Sequence, residues 1–211
     1  MLSRFRNKKI PDIYLCISHF LDHFIILVFA KAAYDAGQDI GLTYGETIKL
    51  ATLGFILFGI ASPIAARVAD IFSRSITMVV FHFGIGISSI LISFSYTSLH
   101  LVLGLSSLGF FAAIFHPVGI AMLLEKKERV GLRLGVNGLF GNMGVASAPL
   151  ITVIIIFYSY WKMAFLISGI ICIIYGIFFA HALKPMELPN GGSPKIKSEK
   201  FSHGWRQALL A

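Results

Sequence analysis

Charge is scarce in this sequence: 13% of its 211 residues are Asp, Glu, Lys or Arg, about half the share of soluble domains. Acids are rarer still, 10 against 18 Lys and Arg. Cysteine occurs twice, at Cys16 and Cys172, each inside an apolar run; so separated, they form neither a disulfide framework nor a metal-binding spacing. No glycine-rich phosphate loop, serine nucleophile constellation or pair of catalytic carboxylates stands out, so neither enzyme activity nor a cofactor is expected. The net charge of +8 does not point to nucleic acid, because the basic residues lie between apolar stretches instead of sharing a polar face.

Apolar residues fill that gap. They make up 56% of the chain, with 19 Phe, 20 Gly and 7 Pro, and mean hydropathy is +0.80. That mixture suits helices that face lipid, pack closely and bend. A hydrocarbon layer about 30 Å thick takes roughly 20 apolar residues as a helix. Six stretches qualify: Ile13 to Ala33, Thr47 to Arg67, Ile76 to Ser95, Leu99 to Leu124, Gly135 to Tyr158 and Met163 to Leu183. The expectation is an all-α membrane protein with three parts: a basic N-terminus over 1–12, a six-span bundle over 13–183 and a polar linker over 184–211.

The connectors agree with that count. Thr43 and Glu46 have the spacing of a capping box ahead of the second span, and Tyr96 to Ser98 leave room only for a tight turn between the third and fourth. Of the 18 Lys and Arg, all but Lys31, Lys49 and Lys162 fall on one side of the layer. Both termini are therefore expected in the cytoplasm, which for a bacterial protein places the bundle in the inner membrane. A cleaved signal peptide over the first 33 residues is the rival reading. It is disfavoured because that stretch is long and carries His19, Asp22 and His23.

Ionisable side chains inside spans cost about 2.5 to 3.5 kcal/mol each at the centre and mark function by default. His19, Asp22 and His23 share one face of the first span through spacings of three and four. Such a face can exchange protons, since imidazole titrates near neutrality; it can also serve packing, or offer an i, i+4 histidine pair to a metal. No second ligand cluster accompanies it in the sequence, so no metal is assigned.

Other spans add candidates. In the fourth, Pro117 removes a backbone hydrogen bond beside His116, which lines a pathway or satisfies the freed carbonyl. In the fifth, Gly135, Gly138, Gly141 and Gly144 precede Ala148-Pro149; small residues at this spacing admit a neighbouring helix and leave a seam that can slide. Asn137 and Asn142, interleaved with them, need polar partners and are candidates to face a solute. His82 and His181 have no polar companions at helical spacing and are read as structural or interfacial.

Between the second and third spans, Ala66-Arg67-Val68-Ala69-Asp70-Ile71-Phe72-Ser73-Arg74-Ser75 resembles the loop signature of the major facilitator superfamily, Gly-x-Leu-Ala-Asp-Arg-x-Gly-Arg-Lys/Arg. Asp70 and Arg74 match in type and spacing, whereas Ala66, Ile71, Ser73 and Ser75 depart. The glycine run ending in Ala148-Pro149 is similar to that family's antiporter-associated motif, and Trp161-Lys162-Met163-Ala164-Phe165 to the opening of its sixth helix. Ser18-His19-Phe20-Leu21-Asp22 and Ala113-Ile114-Phe115-His116-Pro117 resemble the fosmidomycin-resistance type of efflux transporter within it.

The resemblance covers about residues 13 to 183. It implies a secondary transporter of two six-helix halves that rock about a central cavity. This chain would supply one half, of two three-helix repeats, completed by a C-terminal half or by a second copy. Expected partners are the bilayer, a small organic solute and protons. Asp22 would couple protons with His19 and His23 as tuners; His116, Asn137 and Asn142 would line the cavity; Arg67, Asp70 and Arg74 would latch a cytoplasmic gate. The competing class is a six-span protein that does not transport, acting as an assembly partner or a pH or metal sensor.

Overall fold

A computed structural model describes residues 10–183. The basic residues expected before position 10 and the linker over 184–211 lie outside the described residues.

Eight helices and no strand occur among the described residues, and they form six membrane-length spans. The first span is α1 (Asp12–Ile40). The second is α2 (Tyr44–Lys49) followed by α3 (Thr52–Ile71), and the third is α4 (Arg74–Ser93). The fourth divides into α5 (Ser98–Ala112) and α6 (Phe115–Leu124); α7 (Val130–Tyr158) and α8 (Trp161–Ala182) complete the set.

The local sequence accounts for the ends. The Thr43 hydroxyl accepts from the Glu46 amide at 3.3 Å while the Thr43 amide donates to Glu46 Oε2 at 2.9 Å, so the expected capping box starts α2. Ser73 and Thr97 cap α4 and α5 through side-chain oxygens. The fourth span breaks at Ala113 and Ile114. Ala113 is the residue whose carbonyl would clash with the Pro117 ring four positions on. By contrast, α1 runs on past Ala33 to Ile40 and stops only where Gly41 takes a left-handed φ of 74°. Hydropathy marks the length that lipid covers, whereas a helix continues until a residue breaks it.

The most extensive helix contacts pair α1 with α7, α4 with α8, α4 with α5 and α3 with α5. Exchanging spans one and four, two and five, and three and six maps the α1–α7 and α3–α5 pairings onto each other, the α4–α8 pairing onto itself and the α4–α5 pairing onto the smaller α1–α8 contact, the pattern of two related three-helix repeats. At the α3–α5 crossing a Cβ on Gly109 would fall on the Gly54 carbonyl, and one on Gly54 would come within 2.6 Å of the Leu105 carbonyl. The two backbones touch because neither glycine has a side chain.

Ion pairs brace α1 at both ends. Asp12 accepts from Lys126 at 2.8 Å and from Arg133 Nη2 at 2.9 Å, and Arg133 also donates to the Lys126 carbonyl. At the opposite end Asp39 accepts from Trp161 Nε1 at 3.2 Å and from Lys162 at 3.0 Å, and the Lys162 ammonium stands 4.3 Å over the Tyr96 ring. The middle of α1 is free to carry the polar face.

Overpacking the α3–α5 crossing should destabilise the bundle. Gly109→Leu is expected to cost about 1 to 3 kcal/mol and to lower the thermal unfolding midpoint in detergent. Gly59→Leu, where a Cβ meets nothing within 4 Å, should leave it in place. Equal midpoints for the two variants would contradict the close crossing.

Candidate functional site

Three of the expected pathway residues project from α1 about two to three turns beyond Asp12, or about 10 to 16 Å along the axis. Asp22 is fully buried and His19 nearly so, while His23 is half-buried. His116, at the start of α6, meets them from the fourth span. Its Nε2 lies 3.6 Å from Asp22 Oδ2, and its ring stands edge-on to His19 and His23 at 5.4 and 5.3 Å between centroids.

The interior partners of the cluster are specific. His19 Nδ1 lies 2.9 Å from the Asn137 main-chain carbonyl. A carbonyl only accepts, so Nδ1 carries a proton, and in the neutral imidazole Nε2 presents its lone pair. His23 Nε2 lies 3.0 Å from His19 Nε2 and donates to it in that neutral form. The other face of His19 stacks on Phe115, with centroids 4.7 Å apart and planes 25° from parallel. Asp22 differs from all of these: neither carboxylate oxygen has a hydrogen-bond partner among the described residues.

Helix α7 makes room for the arrangement. Asn137, Gly141, Gly144, Ala148 and Thr152 form its buried stripe. A Cβ on Gly141 would come within 2.7 Å of the His19 ring, and one on Gly144 would fall on the Phe20 carbonyl. Asn137 also anchors the crossing, its amide donating to the Leu15 carbonyl at 3.1 Å. Gly138 and Gly135 do not take part in this crossing: among the described residues a Cβ on either meets nothing within 4 Å. Asn142 is exposed and does not join the cluster, and Pro149 is exposed within a continuous α7.

A cavity of about 320 Å³ opens beside the cluster. His23 and His116 line it together with apolar side chains that include Ala30, Ile48, Phe58 and Leu108. Its volume is at the lower end of the range for sites that enclose small organic molecules.

The loop expected to gate lies at the end where α1 begins. Arg74 donates to Asp70 at 3.1 Å and to Glu125 at 3.0 Å, joining the start of α4 to the ends of α3 and α6. Arg67 is exposed and stands outside this set. Glu125 is the member that sequence reasoning missed, since only the fold brings it to Arg74.

Two more features were hidden. His82 is fully buried; its Nδ1 lies 2.7 Å from the Met78 carbonyl and its Nε2 2.9 Å from the Ser18 hydroxyl. This is a packing histidine with both nitrogens engaged by its surroundings, and its partner comes from another helix. Phe115, the platform for His19, enters the sequence reading only as a member of the Ala113 to Pro117 stretch.

A search of curated proteins finds no match. The model of one family, described as Major Facilitator Superfamily, matches residues 15–210. That match extends over nearly the whole chain, and it accords with six spans paired as two three-helix repeats. The chain is an integral membrane protein and belongs to the Major Facilitator Superfamily, whose members are membrane transporters.

Proposed function

We propose that this chain is the N-terminal half of a proton-driven secondary transporter that moves a small organic solute by alternating access. The observation that carries the reading is Asp22: a fully buried carboxylate without a hydrogen bond, facing a histidine that lines a cavity. An ionised carboxylate in that position lacks compensation. A mobile positive partner supplies it, and a proton is the smallest. The cavity receives the solute and the imidazoles stand where solute and cation meet.

The remaining parts of the reading rest on surfaces. Only 22% of the hydrophobic window is buried in Tyr44–Ile71 and in Val130–Tyr158, against 56% or more in the first, third and fourth spans. These two faces are where a second half, or a second copy of the chain, completes the central pathway; the exposed Asn142 then looks into it from the side of α7 away from the buried Asn137. The exposure that Asp70 keeps while paired to Arg74 supports its meeting that second half as part of a gate with Arg67. The charge asymmetry supports cytoplasmic termini and a bacterial inner membrane. The likeness of Ala113 to Pro117 and of Ser18 to Asp22 to the fosmidomycin-resistance type supports efflux by antiport.

Asp22→Asn, introduced at the matching position of a full-length relative, should abolish solute-linked proton movement in membrane vesicles, read with a pH-sensitive dye, while insertion and expression persist. Undiminished coupling would remove Asp22 from this role. The cavity can be probed separately. Cys16 and Cys172 are buried, so background thiol labelling should be low. Phe58→Cys is expected to react with a water-soluble maleimide and to be protected by a transported solute, whereas Ile87→Cys, on an outward apolar face, should not react. Equal inertness at both positions would argue for a dry, packed bundle.

A further inference from the structure

We propose that His19, His23 and His116 form a binding site for a divalent first-row transition-metal ion of the Zn2+ class, open to the apolar cavity. The inference stands on the cluster itself and does not depend on transport.

The geometry separates these rings from packing histidines. His82 and His181 each direct a ring nitrogen to the main-chain carbonyl four residues earlier, at 2.7 and 2.8 Å. The cluster rings instead direct nitrogens at one another: His19 and His23 meet Nε2 to Nε2 at 3.0 Å, and one ligand-capable nitrogen from each of the three rings lies within 4.8 Å of the others. Three imidazoles bound at about 2.0 to 2.1 Å in a tetrahedral site hold their nitrogens about 3.3 Å apart. The His19–His23 pair is already near that spacing. His116 closes the remainder from the first turn of α6, next to the interruption at Ala113 and Ile114.

The outer partners also fit a metal. The hydrogen bond from His19 Nδ1 to the Asn137 carbonyl fixes the tautomer that aims Nε2 at the centre, as the second partner of a ligating histidine does. His23 presents a lone pair there by moving its proton to the other ring nitrogen. Asp22, 3.6 Å from His116 and otherwise without a partner, supplies the negative charge that a buried divalent ion needs. Three nitrogen ligands leave a fourth position, and His23 and His116 border the cavity, so an ion can enter and keep an exchangeable ligand. Imidazole donors suit Zn2+, Co2+, Ni2+ and Cu2+ and disfavour Mg2+ and Ca2+.

The test is a Co2+ titration of the tag-free 211-residue chain in lipid nanodiscs, followed by ligand-field absorption in the visible, with Zn2+ as competitor and Mg2+ as the unsuitable ion. One tetrahedral Co2+ per chain, displaced by Zn2+ and indifferent to Mg2+, is expected. His23→Gln and His116→Gln should each weaken binding at least about tenfold with helical content unchanged by circular dichroism. The double variant His100→Gln/His181→Gln, at exposed positions, should bind as the parent does. Because His19 also braces α7, His116→Gln decides the matter if His19→Gln fails to fold. Absence of a tetrahedral band in the parent, parental affinity in His116→Gln, or loss of the band in the exposed double variant would each overturn the site. Solute movement that persists without metal binding overturns this inference alone, and a chain that binds Co2+ yet moves no solute when completed by its second half overturns the transporter reading alone.

Discussion

A carboxylate with no hydrogen bond, buried at the meeting of α1 and α6, is the constraint around which the rest of this half is arranged. Charged groups at the centre of a span cost about 2.5 to 3.5 kcal/mol on insertion scales, and an unsatisfied buried acceptor adds to that cost. Asp22 has neither a Lys nor an Arg as an ion-pair partner among the described residues; its neighbour is His116. The stability that tolerates such a group must come from elsewhere, and the structure shows where. Gly141 and Gly144 let α1 lie directly on α7, Asn137 bonds both the Leu15 carbonyl and the His19 ring, and Phe115 covers that ring.

The two ends of α1 carry what its middle does not. Asp12 is held by Lys126 and Arg133, Asp39 by Trp161 and Lys162. Tyr175 donates to the Tyr14 carbonyl at 2.8 Å and Ser18 reaches His82, so α1 is tied to α4, α6, α7 and α8. Water and headgroups near the helix ends soften the burial cost of the ionic pairs, while the central cluster is left with imidazoles, which can be neutral. This division of polar groups follows from dielectric position: permanent charges sit at the rims, and the interior holds groups whose charge can change.

The spans and the polar face of α1 were legible in sequence because hydropathy and the 3.6-residue period are local properties. The break at Pro117 was legible for the same reason. The union of His116 with His19 and His23 was not, since more than 90 positions separate them and only the pairing of spans one and four joins them. Without that third ring the i, i+4 histidine pair had only Asp22, on the same helix face, as a further ligand. The different fates of Asn137 and Asn142 follow from helix geometry alone: five residues apart, they point about 140° from each other. The buried stripe at 137, 141, 144, 148 and 152 advances by four, three, four and four, which keeps it on one side of α7 and places Gly138 outside it. Small residues were read there as a composition, whereas contact depends on phase.

The location of the cluster within a single half limits how access to it can change. His19, Asp22 and His23 lie on α1 and His116 on α6, and the ties at both ends of α1 hold those helices to one body. On the reading proposed above, rocking of that body against a second half would leave the distances among the four groups unaltered and would change only the cover over the exposed faces of α3 and α7, and with it the side of the membrane to which the cavity connects. On the proposed reading, then, the ligand geometry is a fixed property of this half and direction is conferred by its partner. The α3–α5 crossing supports that view, because Gly54 and Gly109 both border the cavity and their backbone contact leaves little slack for the wall to deform internally.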